Sequence, residues 1–168
     1  MHSDCVVEDA AWLRRLLDSY ANMRDRGVKI VSARTNYSGG GDPRLETSRT
    51  KLGDDIILNV SKVQQILEED LYCPLFCAIM HRDLFKHLGG FLRNYPLAFY
   101  EDVELAVRMF SKNFKQGISG RSYIHHDGHS TIDAVCQGNI EAKTIIELNF
   151  DRLTKDIKNM NILNGKHT

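Results

Sequence analysis

The strongest constraint on the fold is an alternation of short apolar runs with stretches of helical periodicity. The apolar runs have the length of buried strands and are found at 28–33, 56–60, 73–80 and 122–126. Between them, apolar residues recur every three to four positions, and the first such set is Trp12, Leu13, Leu16, Leu17 and Tyr20. This order predicts an α/β domain of three layers, with a mixed β-sheet flanked by helices.

The longest amphipathic stretch indicates a helix over 137–160. Its apolar stripe is typical of a helix that packs on the core or on a second copy of the chain. With 168 residues, the chain suits a single domain, 1–168, with a core of ordinary size.

The balance of charge and the lack of long apolar runs argue against two classes of protein. Lysine and arginine number 22, as do aspartate and glutamate, so we expect no nucleic-acid partner held by overall charge. No apolar run reaches 18 residues, so we expect no membrane span. The four cysteines are too scattered for a disulfide scaffold, which predicts a reduced, cytoplasmic protein.

The stretch "FYEDVELAVRMF", residues 99–110, carries two adjacent acids, Glu101 and Asp102, before an amphipathic segment that includes Arg108. Two interpretations of these acids stay open. A helix that begins at Glu101 would be stabilised by negative charge at its N-terminus. Alternatively, a positioned carboxylate could take the proton of a reacting hydroxyl group.

A turn with two glycines precedes these acids. The segment "RDLFKHL", residues 82–88, predicts about two helical turns. Gly89 is suited to the left-handed position that ends a helix, and Gly90 and Phe91 then begin an extended loop.

Three histidines lie close together later in the chain. The run "SYIHH" predicts a strand that delivers His125 and His126 to a loop containing Asp127 and His129. Neutral imidazoles and carboxylates bind divalent metals. Because neighbours on a strand point to opposite faces, only one of His125 and His126 is expected to reach a given site.

In their order and spacing, these pieces resemble the C-terminal half of a family-two glycosyltransferase with the GT-A fold. An apolar strand, a short helix, "GGF", an aromatic residue, "ED", an amphipathic helix with arginine and a strand ending in His-x-Gly follow one another as in that family. The stretch "HSDCVVEDAAWLRRLL" is similar to the family's acidic metal motif and the tryptophan-containing helix after it. The resemblance covers residues 2 to about 133 and implies an incomplete GT-A-like domain, the acceptor-side half.

The resemblance implies a divalent cation, Mn²⁺ or Mg²⁺, on the diphosphate of a nucleotide-sugar donor. Asp4 matches the aspartate that ligates this cation, while His2 stands where the family has the first acid of the motif. His126 matches a histidine that completes the metal shell in some members, and His125 is the competing alignment. Such a cation neutralises charge on the leaving diphosphate.

On the acceptor side, the resemblance implies that Asp102 is the base that deprotonates the acceptor hydroxyl, with Glu101 beside it. The loop 89–91 matches the segment beneath the acceptor, and Arg108 is expected to contact the substrate. The implied activity is sugar transfer to the hydroxyl group of a glycan or of another acceptor.

Family members carry a nucleotide-binding half before the metal aspartate, and nothing in this sequence resembles it. We therefore expect a truncated transferase that lacks normal activity by itself. A lone second half would expose a sheet edge, which favours a two-fold homodimer joined through this edge or through the helix 137–160.

Two further functions stay open. The chain could be a non-catalytic carbohydrate-binding or assembly module that keeps the scaffold. It could also be a metal-dependent hydrolase built on "HHDGH" with Glu101 and Asp102, although the sequence has no His-Glu-x-x-His motif.

Overall fold

The computed structural model describes residues 1, 4–92, 95, 99–128 and 140–160. The strands in these residues are β1 (Cys5–Val6), β2 (Val28–Thr35), β3 (Ile56–Leu58), β4 (Ala78–Met80) and β5 (Lys115–His126). The α-helices in the same residues are α1 (Trp12–Arg24), α2 (Val63–Glu68), α3 (Arg82–His87), α4 (Glu101–Ser111) and α5 (Ile140–Asn159). Short 3₁₀ helices cover Pro43–Leu45 and Arg49–Lys51 in the polar stretch after β2.

The five strands form one sheet around β5. β5 pairs in parallel with β2, and antiparallel with β1 and β3. β4 pairs antiparallel with the other edge of β2. The sheet is therefore mixed, as the sequence predicted.

Helices cover both faces of this sheet. On one face, Leu16 of α1 is buried in a cluster with Val31 and Ile124. On the other face, Leu105 of α4 packs with Ile30. Because Ile30 and Val31 are neighbours on β2 and point in opposite directions, the two faces have separate cores. The predicted arrangement of a mixed sheet flanked by helices is confirmed.

The long helix α5 packs on α4, and the predicted helix 137–160 is confirmed over Ile140–Asn159. Leu153 and Ile157 are buried there, whereas Phe150 is 51% exposed, so the apolar stripe is only partly used by the core. None of the described helices is both long enough and apolar enough to cross a membrane.

Only the end of the predicted strand 73–80 is a strand, because β4 is limited to Ala78–Met80. The preceding segment is buried but irregular, and Pro74 has no N–H group to offer a ladder. The Ser32 hydroxyl lies 3.2 Å from the carbonyl oxygens of Pro74 and Cys77, and the Ala33 N–H donates to the Cys77 carbonyl at 2.9 Å. The apolar run thus indicated a largely buried segment correctly, but only its last three residues form a strand.

β5 begins seven residues before the predicted strand 122–126. The missed part, "KQGISGR", contains two glycines, and glycine is depleted in strands. Small residues are required here because Met23 packs against Gly117 and the backbone of Asp54 packs against Gly120. Close packing, rather than propensity, explains the strand at these positions.

The apolar stripe predicted on α1 is only partly buried. Leu16 is buried, but Leu13 and Leu17 are 46% and 43% exposed. Ser19 faces inward on α1, and its hydroxyl donates a hydrogen bond to the carboxylate of Asp55 at 2.7 Å. A buried polar contact therefore replaces part of the expected apolar interface.

Candidate functional site

Two distant parts of the sequence meet where β1 pairs with the end of β5. The register places Cys5 opposite His126. Asp4 directly precedes β1, and its carbonyl accepts a hydrogen bond from the Asp127 N–H at 3.0 Å. This pairing brings Asp4 Oδ1 to 3.4 Å from His126 Nε2. The structure thus brings together the two residues that were predicted to share a cation.

The imidazole of His126 is held in one orientation. Its Nδ1 lies 2.8 Å from the carbonyl oxygen of Tyr37, and because a carbonyl can only accept, Nδ1 carries the proton. The ring stacks on Phe76 with centroids 5.1 Å apart. The side-chain amide of Asn36 donates to the His126 carbonyl and accepts from its N–H, at 3.0 and 2.8 Å. These contacts direct Nε2 toward Asp4.

His125 is directed elsewhere, as the alternation of side chains along a strand requires. Its Nε2 lies 3.2 Å from Asp127 Oδ1, and its side chain is 37% exposed. Of these two histidines, His126 is the one that faces Asp4. His129, the third histidine of the run, lies outside the described residues.

The donors around His126 suit a divalent cation. Cys5 joins Asp4 and His126, and one ligand atom from each lies within 4.8 Å of the other two. A metal-ligating histidine almost always donates its other ring N–H to a carbonyl, a carboxylate or water, as His126 does to Tyr37. The residues present therefore fit a divalent cation, and they include a thiol that the sequence resemblance does not imply.

The two acids lie at the start of α4, after two residues with left-handed backbone. Phe99 and Tyr100 have φ angles of 69° and 71°, a region that bulky residues rarely adopt. Asp102 Oδ1 accepts a hydrogen bond from the Val103 N–H at 2.8 Å. One of the two carboxylate oxygens of Asp102 therefore bonds to the backbone at the start of its own helix, as the interpretation of Asp102 as a helix-start acid requires.

The acidity of Asp102 is changed by its surroundings. Asp102 is half-buried, and the loss of solvent around its carboxyl group raises the pKa of that group to about 7. The negative charge of Glu101 acts in the same direction. A carboxyl group with a pKa near neutrality can exchange protons at physiological pH, which is the property required of a general base.

The segment 36–42 contacts residues near both the cation donors and the acids. Asn36 and Tyr37 contact His126, as described above. At the other end of the segment, the Asp42 N–H donates a hydrogen bond to the Tyr72 carbonyl at 2.9 Å. Burial raises the pKa of the Tyr72 hydroxyl, and the negative charge of Asp102 raises it further. One loop thus touches the surroundings of both parts of the candidate site.

A cavity of about 450 Å³ lies beside Glu101. Phe91 forms part of its wall, and this ring meets Phe85 edge-on with centroids 5.1 Å apart. The other described walls are mainly apolar and include Ile30, Leu75, Ala78, Met80, Leu92 and Tyr95. Oε2 of Glu101 is buried and has no hydrogen-bond partner in the described part of the chain. Because an unpaired buried oxygen is costly, this atom is suited to accept a hydrogen bond from a ligand or from water.

Arg108 holds the glycine turn in place. Its guanidinium donates to both carboxylate oxygens of Glu104, at 2.5 and 2.6 Å, and to the carbonyls of Leu88 and Gly90. Gly89 and Gly90 have φ angles of 87° and 70°, which confirms the predicted glycine end of α3. Contact of Arg108 with a substrate stays a prediction.

Two residues of this region were missed as contributors by sequence reasoning. Cys5 belongs to a short apolar run, and the one available signal was its position directly after Asp4. Tyr37 acts through a backbone carbonyl, which every residue has, so its side chain carries no signal. Both contributions depend on strand pairing that becomes visible only in the fold.

No protein-family model, no curated protein and no solved structure matches this chain. Function is therefore inferred from the side chains described above and from the order of motifs in the sequence.

Proposed function

We propose that this protein transfers a sugar from a nucleotide-sugar donor to an acceptor hydroxyl, in the manner of the acceptor-side half of a family-two GT-A glycosyltransferase. The observation that carries this proposal is the approach of His126 Nε2 to Asp4 Oδ1, at 3.4 Å. The resemblance implies that these two residues share one cation, and nothing in their separate sequence contexts requires that they meet.

Each side chain has a distinct part in the proposed reaction. A cation held by Asp4 and His126 would neutralise charge on the departing nucleoside diphosphate. Ionised Asp102 takes the proton of the acceptor hydroxyl while the acceptor oxygen bonds to the anomeric carbon and the bond from that carbon to the diphosphate breaks. The raised pKa of Asp102 makes its carboxylate a stronger proton acceptor than an ordinary aspartate.

The cavity beside Glu101 favours an acceptor with an apolar body. Its described walls are mostly aliphatic and aromatic, and the unpaired Oε2 of Glu101 can accept a hydrogen bond from a hydroxyl group. An extended glycan would leave many of its own polar groups without partners against such walls. A hydrophobic alcohol is therefore the acceptor class that we propose.

Asp102→Asn is expected to lower the rate of transfer by about 10²–10⁴-fold, and the residual rate should no longer rise through neutral pH. Burial raises the pKa of Asp102 to about 7, and a base must be ionised to accept a proton. The native rate should therefore rise from about pH 6 to about pH 8 and then level off. The measurement is release of nucleoside diphosphate from UDP-, GDP- and dTDP-sugars, with Mn²⁺ or Zn²⁺ and a panel of hydrophobic alcohols.

Asp18→Asn is the matched control, because Asp18 is a half-exposed acid of α1 whose carboxylate pairs with Arg14 at 3.2 Å. This variant should keep the native rate and the native pH profile. Binding of nucleotide or alcohol without any diphosphate release would favour the non-catalytic module instead. If the native chain neither binds nor cleaves any of these donors with either cation, the proposal is wrong.

A cytoplasmic location is part of the proposal. Cys73 and Cys77 are buried thiols rather than a disulfide. Thiols of this kind are typical of proteins in reducing compartments.

We also propose a two-fold homodimer. Leu148 and Phe150 of α5 are 49% and 51% exposed, and Leu13 and Leu17 form a second exposed apolar pair on α1. Exposed apolar surface favours association when it is continuous enough to be buried by a partner. Light scattering at high micromolar concentration should give twice the chain mass of 19.2 kDa, and a clean monomer would contradict the proposal.

A further inference from the structure

We propose that Cys5 completes a Zn²⁺ site with Asp4 and His126. This site shares two residues with the proposed transfer reaction, but it stands without that reaction, because cation binding needs neither a nucleotide nor an acceptor. The thiol ligand is what distinguishes it from the Mn²⁺ or Mg²⁺ site that the family resemblance implies.

The positions of the three donors are close to those of a tetrahedral zinc site. Bond lengths of about 2.0–2.3 Å place the ligand atoms of such a site roughly 3.3–3.8 Å apart. His126 Nε2 and Asp4 Oδ1 are already 3.4 Å apart. The Cys5 sulfur lies within 4.8 Å of a ring nitrogen of His126 and of a carboxylate oxygen of Asp4. The Cys5 sulfur therefore has to approach the other two atoms by about 1 Å or less for all three to reach one cation.

The sheet supports this geometry from outside the donor set. Cys5 and His126 are direct partners in the β1–β5 register, so their backbones cannot drift apart while the strands are paired. The Tyr37 carbonyl fixes the imidazole tautomer, which leaves Nε2 as the nitrogen that can ligate. Ligand orientation is thus set by backbone contacts that exist before any cation binds.

The donor set selects the kind of cation. Thiolate is a soft ligand that favours Zn²⁺, whereas Mg²⁺ and Mn²⁺ prefer oxygen ligands. With a thiolate from Cys5 and a carboxylate from Asp4, two negative charges balance the two positive charges of zinc. Within the described residues the cluster has three members, which is the number of protein ligands in zinc sites that keep a position for water or substrate.

Binding involves a proton but no change of oxidation state. The Cys5 thiol now donates to the Phe76 carbonyl at 3.6 Å. When the sulfur–zinc bond forms, the S–H bond breaks and the proton passes to solvent. The cation replaces that proton at the sulfur, and nothing is oxidised or reduced.

Titration of the metal-free full chain with Co²⁺, a spectroscopic substitute for Zn²⁺, tests the assignment. The native chain should develop the near-ultraviolet charge-transfer absorption that reports a cobalt–sulfur bond, and added Zn²⁺ should remove it by displacement. Cys5→Ser should lose this absorption. His126→Ala should weaken Zn²⁺ binding by at least about 10–100-fold, since even changes outside the first shell of ligands have effects of that size.

His125→Ala is the matched control, because the adjacent histidine is directed to Asp127. It should keep the native absorption and the native affinity. Equal losses in the His125 and His126 variants, or an unchanged absorption in Cys5→Ser, would overturn the assignment.

A second measurement needs no variant and so does not depend on how a variant folds. Alkylation of native Cys5 by iodoacetamide, located by mass spectrometry, should be slowed by excess Zn²⁺ and not by excess Mg²⁺. Cys73 and Cys77 are buried and act as slowly reacting references. No protection by Zn²⁺ would overturn the inference, whereas protection in a chain that transfers no sugar would support it and count against the proposed transfer alone.

Discussion

Replacement of Arg108 by alanine is expected to lower the free energy of unfolding by about 3–5 kcal/mol. The side chain of Glu104 is 1% exposed, and the variant would leave its carboxylate buried without the two hydrogen bonds that it now accepts from the guanidinium. The carbonyls of Leu88 and Gly90 would lose a donor as well. Urea unfolding followed by circular dichroism measures the loss.

Arg14→Ala is the control for this prediction. Arg14 also pairs with an acid four residues away on its own helix, but the two side chains are 81% and 47% exposed. Its removal should cost less than about 1 kcal/mol, because exposed pairs contribute little. Equal losses of unfolding free energy in the two variants would show that burial of the Glu104–Arg108 pair does not explain its contribution to stability.

The pH dependence of the Arg108 variant provides a further check. Burial raises the pKa of Glu104, and Arg108 opposes that rise, so without Arg108 the pKa should be higher still. In the folded variant, the Glu104 carboxyl group then keeps its proton at a pH where Glu104 of the unfolded chain has lost its proton. Stability lost in the variant should therefore be partly regained as pH falls, and it should be lowest at high pH.

Gly120→Ala is expected to destabilise the fold by about 3 kcal/mol or more, the upper range for overpacking. A methyl group at this position would lie 2.2 Å from the carbonyl oxygen of Gly53 and 2.2 Å from the carbonyl carbon of Asp54. These atoms cannot withdraw easily, because the Gly53 N–H donates to the Gly120 carbonyl at 2.9 Å and the Gly120 N–H donates to Asp55 at 2.8 Å. Thermal and urea unfolding would measure the loss.

Gly53→Ala is the matched control on the facing segment. Gly53 is exposed, and an added methyl group would meet no atom within 4 Å. Its effect should stay within about 0.5 kcal/mol, as for other surface substitutions. A Gly120→Ala protein as stable as the Gly53 variant would mean that the contact between β5 and residues 53–54 is looser than the structure shows.

The layered fold could be predicted because its signals are local. β-branched residues such as Val28, Ile30 and Val31 favour a strand wherever they occur, and helical periodicity is visible within one stretch of sequence. The first half of β5 could not be predicted, because its glycines are explained by Met23 and by residues 53–54, which are far away along the chain. Contacts of that kind leave no local pattern.

The candidate site divides in the same way. Asp4 and His126 were predicted from the order of motifs, and the structure brings them together. The contribution of Cys5 depends on the β1–β5 register, which the local sequence of β1 does not determine. For Arg108, the spacing of four residues from Glu104 was visible in the sequence, but the burial of that pair was not.

The shortness of β1 has a consequence for the order in which this protein assembles. β1 has two residues, and its pairing with the end of β5 closes a loop of about 120 residues, so the entropy of closure is large relative to the stabilisation that so short a strand provides. We therefore expect this segment to dock late in folding and to open by local fluctuation while the rest of the sheet stays intact. Each opening separates Asp4 and Cys5 from His126, so the three donors exist as a group only in the docked state. Hydrogen exchange at the amide of Asp127, which bonds to the Asp4 carbonyl, would report the rate of this opening directly.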